Sequence, residues 1–300
     1  VASLLDRFAE WKEQQGLYDF KIGHWIGYTH NFDLESIIEE KRLCRVKGYN
    51  LDVILLGGLP ERPENEMRNW LQERKEAGFS SVIASFTGHG AFHDLWNGRP
   101  GDFNRLMAAQ RIAAEIGMEL HQRIFLTRQT LPLIDELLAK LETLPGKVVN
   151  RDAYLLFYNG CAKGLETVRL TEDIFTSQPE HIKKLYRADW KNWRSERDWL
   201  EVVRREDAKV PEKVLLKLIL TAANIDRYQS MPCEAIIAEL AERTRQAYAA
   251  IPSRRELGEQ WGDAANTKIY MFRHEIERKW LDTFLKHYPV QFEKELTHLD

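Results

Sequence analysis

Apolar positions over the first half of the chain alternate between a three-to-four repeat and short unbroken runs, a pattern that reads as helices and strands in turn. Leu4, Leu5, Phe8 and Trp11 predict an opening helix that stops before Gly16. The aromatic, β-rich stretch Tyr18 to Thr29 predicts a strand, and Asp33 then precedes a helix carrying Leu34, Ile37, Ile38 and Cys44 that ends at Gly48. Leu51 to Leu56, bounded by Gly57-Gly58, has the run expected of a strand buried on both faces. Met67, Trp70, Leu71 and Arg74 set up the following helix, closed by Gly78. The same unit repeats: strand Ser81 to Phe86, then a helix face of Phe103, Leu106, Ala109 and Ala113 closed by Gly117. It repeats again with strand Met118 to Leu126 and a helix capped by Thr130, with Pro132 in its first turn and Pro145-Gly146 at its end. A further strand is expected at Ala153 to Tyr158.

Beyond Cys161 the pattern turns helical. Ser177-Gln178-Pro179-Glu180 and Ser253-Arg254-Arg255-Glu256 fit capping boxes, and most of 178–206 and 233–297 is expected as helix. Val214 to Thr221, rich in leucine and β-branched residues, predicts one more strand between the helical blocks. The expected organisation is an α/β fold, with a partial parallel (β/α) barrel over 1–160 and a mainly helical extension over 161–300. An open doubly wound sheet is the alternative.

With 300 residues and 44% apolar content the chain can bury a substantial core, which excludes a disordered or fibrous protein. A net charge of −3 offers no overall attraction to nucleic acid or anionic lipid, so neither is an expected partner. No apolar run is long enough to span a bilayer, and the opening helix is too charged for a signal peptide, which points to a cytoplasmic protein. Cys44, Cys161 and Cys233 are few, odd in number and far apart, and read as reduced thiols.

The stretch from Gly57 to Phe103 carries the most informative series: Gly57-Gly58, then Ser85-Phe86-Thr87-Gly88, His93-Asp94, Asn97-Gly98-Arg99 and Gly101-Asp102-Phe103. In this order it resembles the middle of a radical S-adenosylmethionine enzyme. There a Thr-Asn-Gly-like turn ends one barrel strand, and a Ser-x-Asp-Gly-like turn ends the next, ahead of a His-Asp, Arg-Gly, Gly-Ser-Phe series. The likeness covers about residues 18–160. Thr87 stands in place of the Asp of the second turn, and the family's Cys-x3-Cys-x2-Cys motif occurs nowhere in the 300 residues. One register sets Gly57-Gly58-Leu59-Pro60 on the family's Gly-Gly-Glu-Pro turn. The preferred register sets Gly57-Gly58 on the Thr-Asn-Gly turn and Gly27-Tyr28-Thr29-His30 where Gly-Gly-Glu-Pro belongs, which places the cysteine-bearing strand upstream of Val1.

The resemblance implies S-adenosylmethionine and a four-iron, four-sulfur cluster as cofactors, and radical chemistry on a small-molecule or peptide substrate. Cys44, Cys161 and Cys233 are not expected as cluster ligands, because their separation fits no compact cluster loop. The cofactor's amino group would go to His30 or Asn31, and its carboxylate to Arg123 or Arg128. Ser85 at a strand end is a further cofactor-binding candidate, and glycines 57, 58 and 88 would let the backbone approach the cofactor closely, although such glycines also simply make strand-to-helix turns.

Other chemistry is weaker. His24, His30, His89 and His93 have no spacing of a recognised metal site, and a barrel hydrolase or isomerase would have to use His30, Glu61 and His89. The segment Tyr186 to Trp199 interleaves aromatic and basic residues. Tyr186, Trp190 and Trp193 fall on one helical face, which suits packing on the barrel or a lid better than nucleic-acid binding. The C-terminal helix with Phe272, Ile276, Trp280 and Phe284 is amphipathic, a packing surface or a contact for a second copy or a protein partner. A barrel that binds no cluster and serves as a ligand- or protein-binding module is the alternative function.

Overall fold

The structure, a computed structural model, describes residues 2–17, 33–46, 51–205 and 216–290. Helices α1 (Ala2–Gln14) and α2 (Leu34–Val46) form where the opening repeats predict them. The strand expected at Tyr18 to Thr29 lies outside the described residues, as do His30 and Asn31. Contacts divide the chain into two compact units, each discontinuous in sequence.

The first unit holds an α/β sheet and takes in residues 33–46, 51–157 and 164–193. Strands β1 (Val53–Leu55), β2 (Ser81–Phe86), β3 (Glu119–Leu126) and β4 (Val148–Leu155) are parallel and lie side by side in chain order. Helix α3 (Glu64–Glu76) connects β1 to β2, α4 (Gly90–Asn97) and α5 (Asp102–Glu115) connect β2 to β3, and α6 (Ile134–Leu141) connects β3 to β4. Beyond β4, Ala153 bridges Tyr186 in parallel, its N–H donating to the Leu185 carbonyl at 2.6 Å. Strand β4 begins earlier than Ala153, because its first half, Val148 to Asp152, is mostly polar and half-exposed and gives no apolar run to read.

The two faces of this sheet differ. On one, Val82, Ala84 and Phe86 of β2 and Leu120, Ile124 and Leu126 of β3 are fully buried. Helix α5 covers this face with Phe103, Leu106, Ala109 and Ile112, and the Phe86 and Phe103 rings meet edge-on at 6.0 Å. A buried polar chain crosses it: Arg151 Nε donates to Gln122 Oε1 at 2.7 Å and Gln122 Nε2 to Gln110 Oε1 at 3.0 Å. Gln110 Nε2 ends the chain on the His121 carbonyl at 3.2 Å. Every member has a partner, as burial requires. The opposite face is half-open, since Glu119, His121, Arg123 and Phe125 alternate with the buried residues of β3. Parallel sheets are usually covered on both sides, so this polar, partly exposed face is the exception to explain.

Residues 164–193 add helices α7 (Glu172–Thr176) and α8 (Glu180–Lys183). The capping box expected at Ser177 does not form; α8 starts directly after Pro179 with no side-chain cap, its entry set by the proline ring. Nor do Tyr186, Trp190 and Trp193 share a helix face. The chain there makes one 3₁₀ turn, Trp190–Asn192, and the rings gather on Phe175, with Tyr186 stacked on it at 4.7 Å and Trp193 at 5.8 Å.

The second unit takes in residues 2–17, 158–163, 194–205 and 216–290. A two-stranded antiparallel pair, β5 (Arg194–Ser195) with β6 (Ile269–Tyr270), joins helices α9 (Glu196–Arg205), α10 (Ile225–Ser230), α11 (Cys233–Ala249), α12 (Arg254–Trp261) and α13 (Arg273–His287). Leu200, Leu257, Tyr270, Ile276, Trp280 and Leu281 form one core. Leu4 of α1 forms another with Tyr228, Ile236 and Leu240. The strand expected at Val214 to Thr221 is corrected here: its described part, 216–221, belongs to neither sheet. Its period of two is real, because Leu216, Leu218 and Leu220 pack on the Leu4 core while Lys217 and Ile219 point outward, but helices rather than a neighbouring strand receive it. The box at Ser253 does form, with Glu256 N–H on Ser253 Oγ and Ser253 N–H on Glu256 Oε2. Ser253→Ala is expected to cost about 1 kcal/mol of stability, read by thermal denaturation. No described helix is long and apolar enough to cross a membrane.

Candidate functional site

The carboxyl ends of parallel strands are where turns and side chains converge on a ligand. On the open face of the sheet, register places Ser85 of β2, Arg123 of β3 and Asp152 of β4 side by side in one row. All three are half-buried, and among the described residues Arg123 and Asp152 make no ion pair with each other or with any other group. The Arg123 Nε is buried with no hydrogen-bond partner. What steadies the guanidinium is the Tyr154 ring, 5.5 Å away, which also faces the Arg187 guanidinium at 5.1 Å. The Phe125 and Tyr154 rings, 6.2 Å apart, make an aromatic step beside the row. A hydroxyl, a cation and an anion standing in line with unused bonding capacity suit a zwitterion: carboxylate on arginine, ammonium on aspartate.

The strand ends frame this row. Gly57 and Gly58 follow β1, and a Cβ on Gly57 would meet nothing within 4 Å, so a ligand can approach its backbone. Gly88 follows β2 at φ +101°, where a Cβ would lie 2.8 Å from the Phe92 ring. It is therefore required by the turn itself. Gly88→Ala is expected to cost about 1–3 kcal/mol in thermal or urea denaturation.

Below that turn lies a polar clasp. His93 is fully buried and its Nδ1 accepts from the Thr87 N–H at 3.1 Å. Its Nε2 lies 3.4 Å from Asp102 Oδ2, with the Asn97 amide 2.9 Å from the same nitrogen. Asp102 Oδ1 faces Arg99 at 3.2 Å, and Arg99 also donates to the Leu59 carbonyl. Asp94 accepts from the Gly101 N–H at 2.7 Å and the Phe103 N–H at 2.8 Å, which starts α5. The motif series of the sequence is thus a set of hydrogen bonds shaping two turns. Burial pushes the His93 imidazole below its ordinary value and Asp102 opposes that push.

Of the residues expected to bind, the structure brings Ser85 and Arg123 together and places Gly57, Gly58 and Gly88 in the turns after β1 and β2. Arg128 is exposed on the turn after β3, five residues beyond Arg123, where its N–H donates to the Val168 carbonyl. Of the hydrolase set, Glu61 pairs with Arg105 at 3.7 Å and His89 with Glu136 at 3.4 Å, with no shared focus. Asp152 and Tyr154 are the additions. Asp152 fell outside the strand as read from the sequence, and only the register of β4 on β3 reveals it.

Among the described residues no three His, Cys, Asp or Glu side chains could hold a metal ion. Cys44 is buried in α2, Cys233 is buried at the start of α11, and Cys161 is exposed on a 3₁₀ turn, and their separation along the chain fits no compact cluster loop. S-adenosylmethionine itself fits better: its methionyl end carries the carboxylate and ammonium that the Arg123 and Asp152 side chains lack as partners. Compared with models of known protein families and with curated proteins, the chain matches none.

Proposed function

We propose that the sheet unit is a sector of a radical S-adenosylmethionine-type (β/α) barrel and that its open face seats the methionyl end of S-adenosylmethionine. The observation that carries the reading is the Ser85, Arg123, Asp152 row across three neighbouring strands, whose charged members pair with no group among the described residues. Arg123 receives the carboxylate, Asp152 the ammonium and Ser85 a hydrogen bond, while Phe125 and Tyr154 offer apolar ring surface. Strand order supports the barrel. Right-handed crossovers that always step in one direction put every helix on one face and curl the sheet, whereas a doubly wound sheet reverses at a switch point. Here the order runs β1 to β4 without reversal and continues to Tyr186.

In the family this resembles, the cofactor is cleaved reductively on a four-iron cluster. The cysteines of this chain do not fit that cluster, so no step is assigned to it. The lack of a Cys-x3-Cys-x2-Cys motif within these 300 residues supports a second reading, a barrel that binds S-adenosylmethionine without cleaving it. Titration calorimetry with S-adenosylmethionine tests the seat; the absence of binding overturns it. Anaerobic reconstitution with iron and sulfide of the protein expressed from its whole reading frame, followed by reductant, separates the two readings. Release of 5′-deoxyadenosine establishes the radical enzyme, and binding without release establishes the cluster-free module.

A further inference from the structure

One chain of contacts runs from the Thr87 N–H through His93, Asp102 and Arg99 to the Leu59 carbonyl. Thr87 lies in the turn after β2 and Leu59 in the turn after β1, so the chain ties two strand-end turns to each other. Its central member is an imidazole whose tautomer is set by its neighbours. An Nδ1 that accepts from a backbone N–H carries no proton, which leaves the ring's one proton on Nε2, where it shares the Asp102 Oδ2 acceptor, 3.4 Å away, with the neighbouring Asn97 Nδ2, which donates to the same oxygen at 3.1 Å.

We infer that His93 is a positioning residue for the ligand seat: with Nδ1 unprotonated it holds the β1 and β2 turns together, and a proton on Nδ1 releases the β2 turn together with Ser85. The inference rests on the reading of the open face as the S-adenosylmethionine seat. A protonated Nδ1 would set a donor against the Thr87 N–H, two donors with no acceptor between them. The groups facing the ring come from three elements. Thr87 follows β2, with its hydroxyl 3.3 Å from Nδ1; Asp94 and Asn97 share α4; and Asp102 starts α5 and is itself paired with Arg99 at 3.2 Å and Arg105 at 3.7 Å. The Phe86 and Phe103 rings close the remaining sides at 5.9 and 5.8 Å. Burial, the larger influence, keeps the ring neutral, and Asp102 works against it. The unfolded chain takes up a proton near the ordinary 6.5, while the folded chain resists it to lower pH. The clasp therefore contributes fully above that value and is lost as pH falls below it.

The test has a ligand-free readout and a ligand readout. By hydrogen exchange, the protection factor of the Thr87 amide is expected to fall at least about tenfold between about pH 7.5 and about pH 4.5. His93→Asn sets an amide oxygen near the place of Nδ1, accepts from Thr87 and cannot titrate, so its protection stays flat. Asp102→Asn removes the charge that favours the protonated ring and moves the fall to lower pH, which keeps the test available if His93→Asn fails to fold. Affinity for S-adenosylmethionine should weaken in parallel in the unaltered protein and stay constant in His93→Asn. Protection that is independent of pH, or that falls equally in His93→Asn, overturns the inference. Protection that behaves as expected while S-adenosylmethionine binds at no pH supports the clasp and overturns the reading of the seat. Protection that falls while affinity stays constant overturns the role of His93 in positioning.

Discussion

Replacing Arg123 by alanine is expected to remove S-adenosylmethionine binding, weakening it at least about a hundredfold. A carboxylate held by a guanidinium gains two charge-assisted hydrogen bonds, each worth about 1.5–3 kcal/mol, and the loss of both exceeds a factor of one hundred. Among the described residues Arg187 is a second cation on the Tyr154 ring, but it lies outside the three strands of the row. Arg123→Lys keeps the charge but gives up the planar fork, so an intermediate loss of about tenfold is expected. Arg128→Ala is the control. Its side chain is exposed on the turn after β3, and binding should change by less than about threefold, within the range of a screened surface charge. The sequence offers both arginines as carboxylate partners, so calorimetry on the three variants decides between them. Equal losses in Arg123→Ala and Arg128→Ala would sink the assignment.

The second large effect is expected in the helical unit. Glu196 is completely buried at the start of α9, and its carboxylate accepts from the Asp263 N–H at 3.2 Å, from Trp280 Nε1 at 2.8 Å, and from Asn266 Nδ2 and Lys279 Nζ. Four donors converge on one anion and join α9, α13 and the loop before β6. Glu196→Ala removes the common acceptor and leaves the Trp280 N–H buried without a partner, a loss of about 3–5 kcal/mol. Glu196→Gln keeps an acceptor of the same shape and loses only the charge, for about 1–2 kcal/mol. Glu201→Ala, which breaks surface pairs to Arg204 and Arg205, should stay within about 0.5 kcal/mol. Chemical denaturation followed by tryptophan fluorescence reads all three. A Glu196→Ala protein as stable as the parent would show that the carboxylate is solvated in solution.

The helices and strands of the sheet unit were legible because they bury apolar side chains on a fixed period. Met67, Trp70 and Leu71 announce α3, and Val82, Ala84 and Phe86 announce β2. Helix α4 was not read from the sequence, although Gly98, which closes it in a left-handed conformation, stood in the quoted motif series. Where burial was partial the signal failed. The first half of β4 is mostly polar and half-exposed, so its start was placed too late and Asp152 was missed. The leucines of 216–221 gave the opposite error, a strand period answered by helices.

The candidate site divides the same way. Ser85 and the glycines of the turns could be picked from the sequence because turn chemistry is local. That Arg123 stands between Ser85 and Asp152, and that Arg128 does not, depends on inter-strand register, which no local pattern encodes. Likewise the His93, Asn97 and Asp102 series could be seen as a motif, but its meaning could not. Only the folding of α4 back under the β2 turn sets Thr87 N–H on an imidazole and Arg99 on a carbonyl two turns away. The sequence by itself determined the α/β alternation, the turns and the absence of a compact cysteine motif, because each is a property of neighbouring residues. Tertiary structure decided which charges stand unpaired on the open face and which are spent inside, because pairing is settled by distances between strands and not by positions along one.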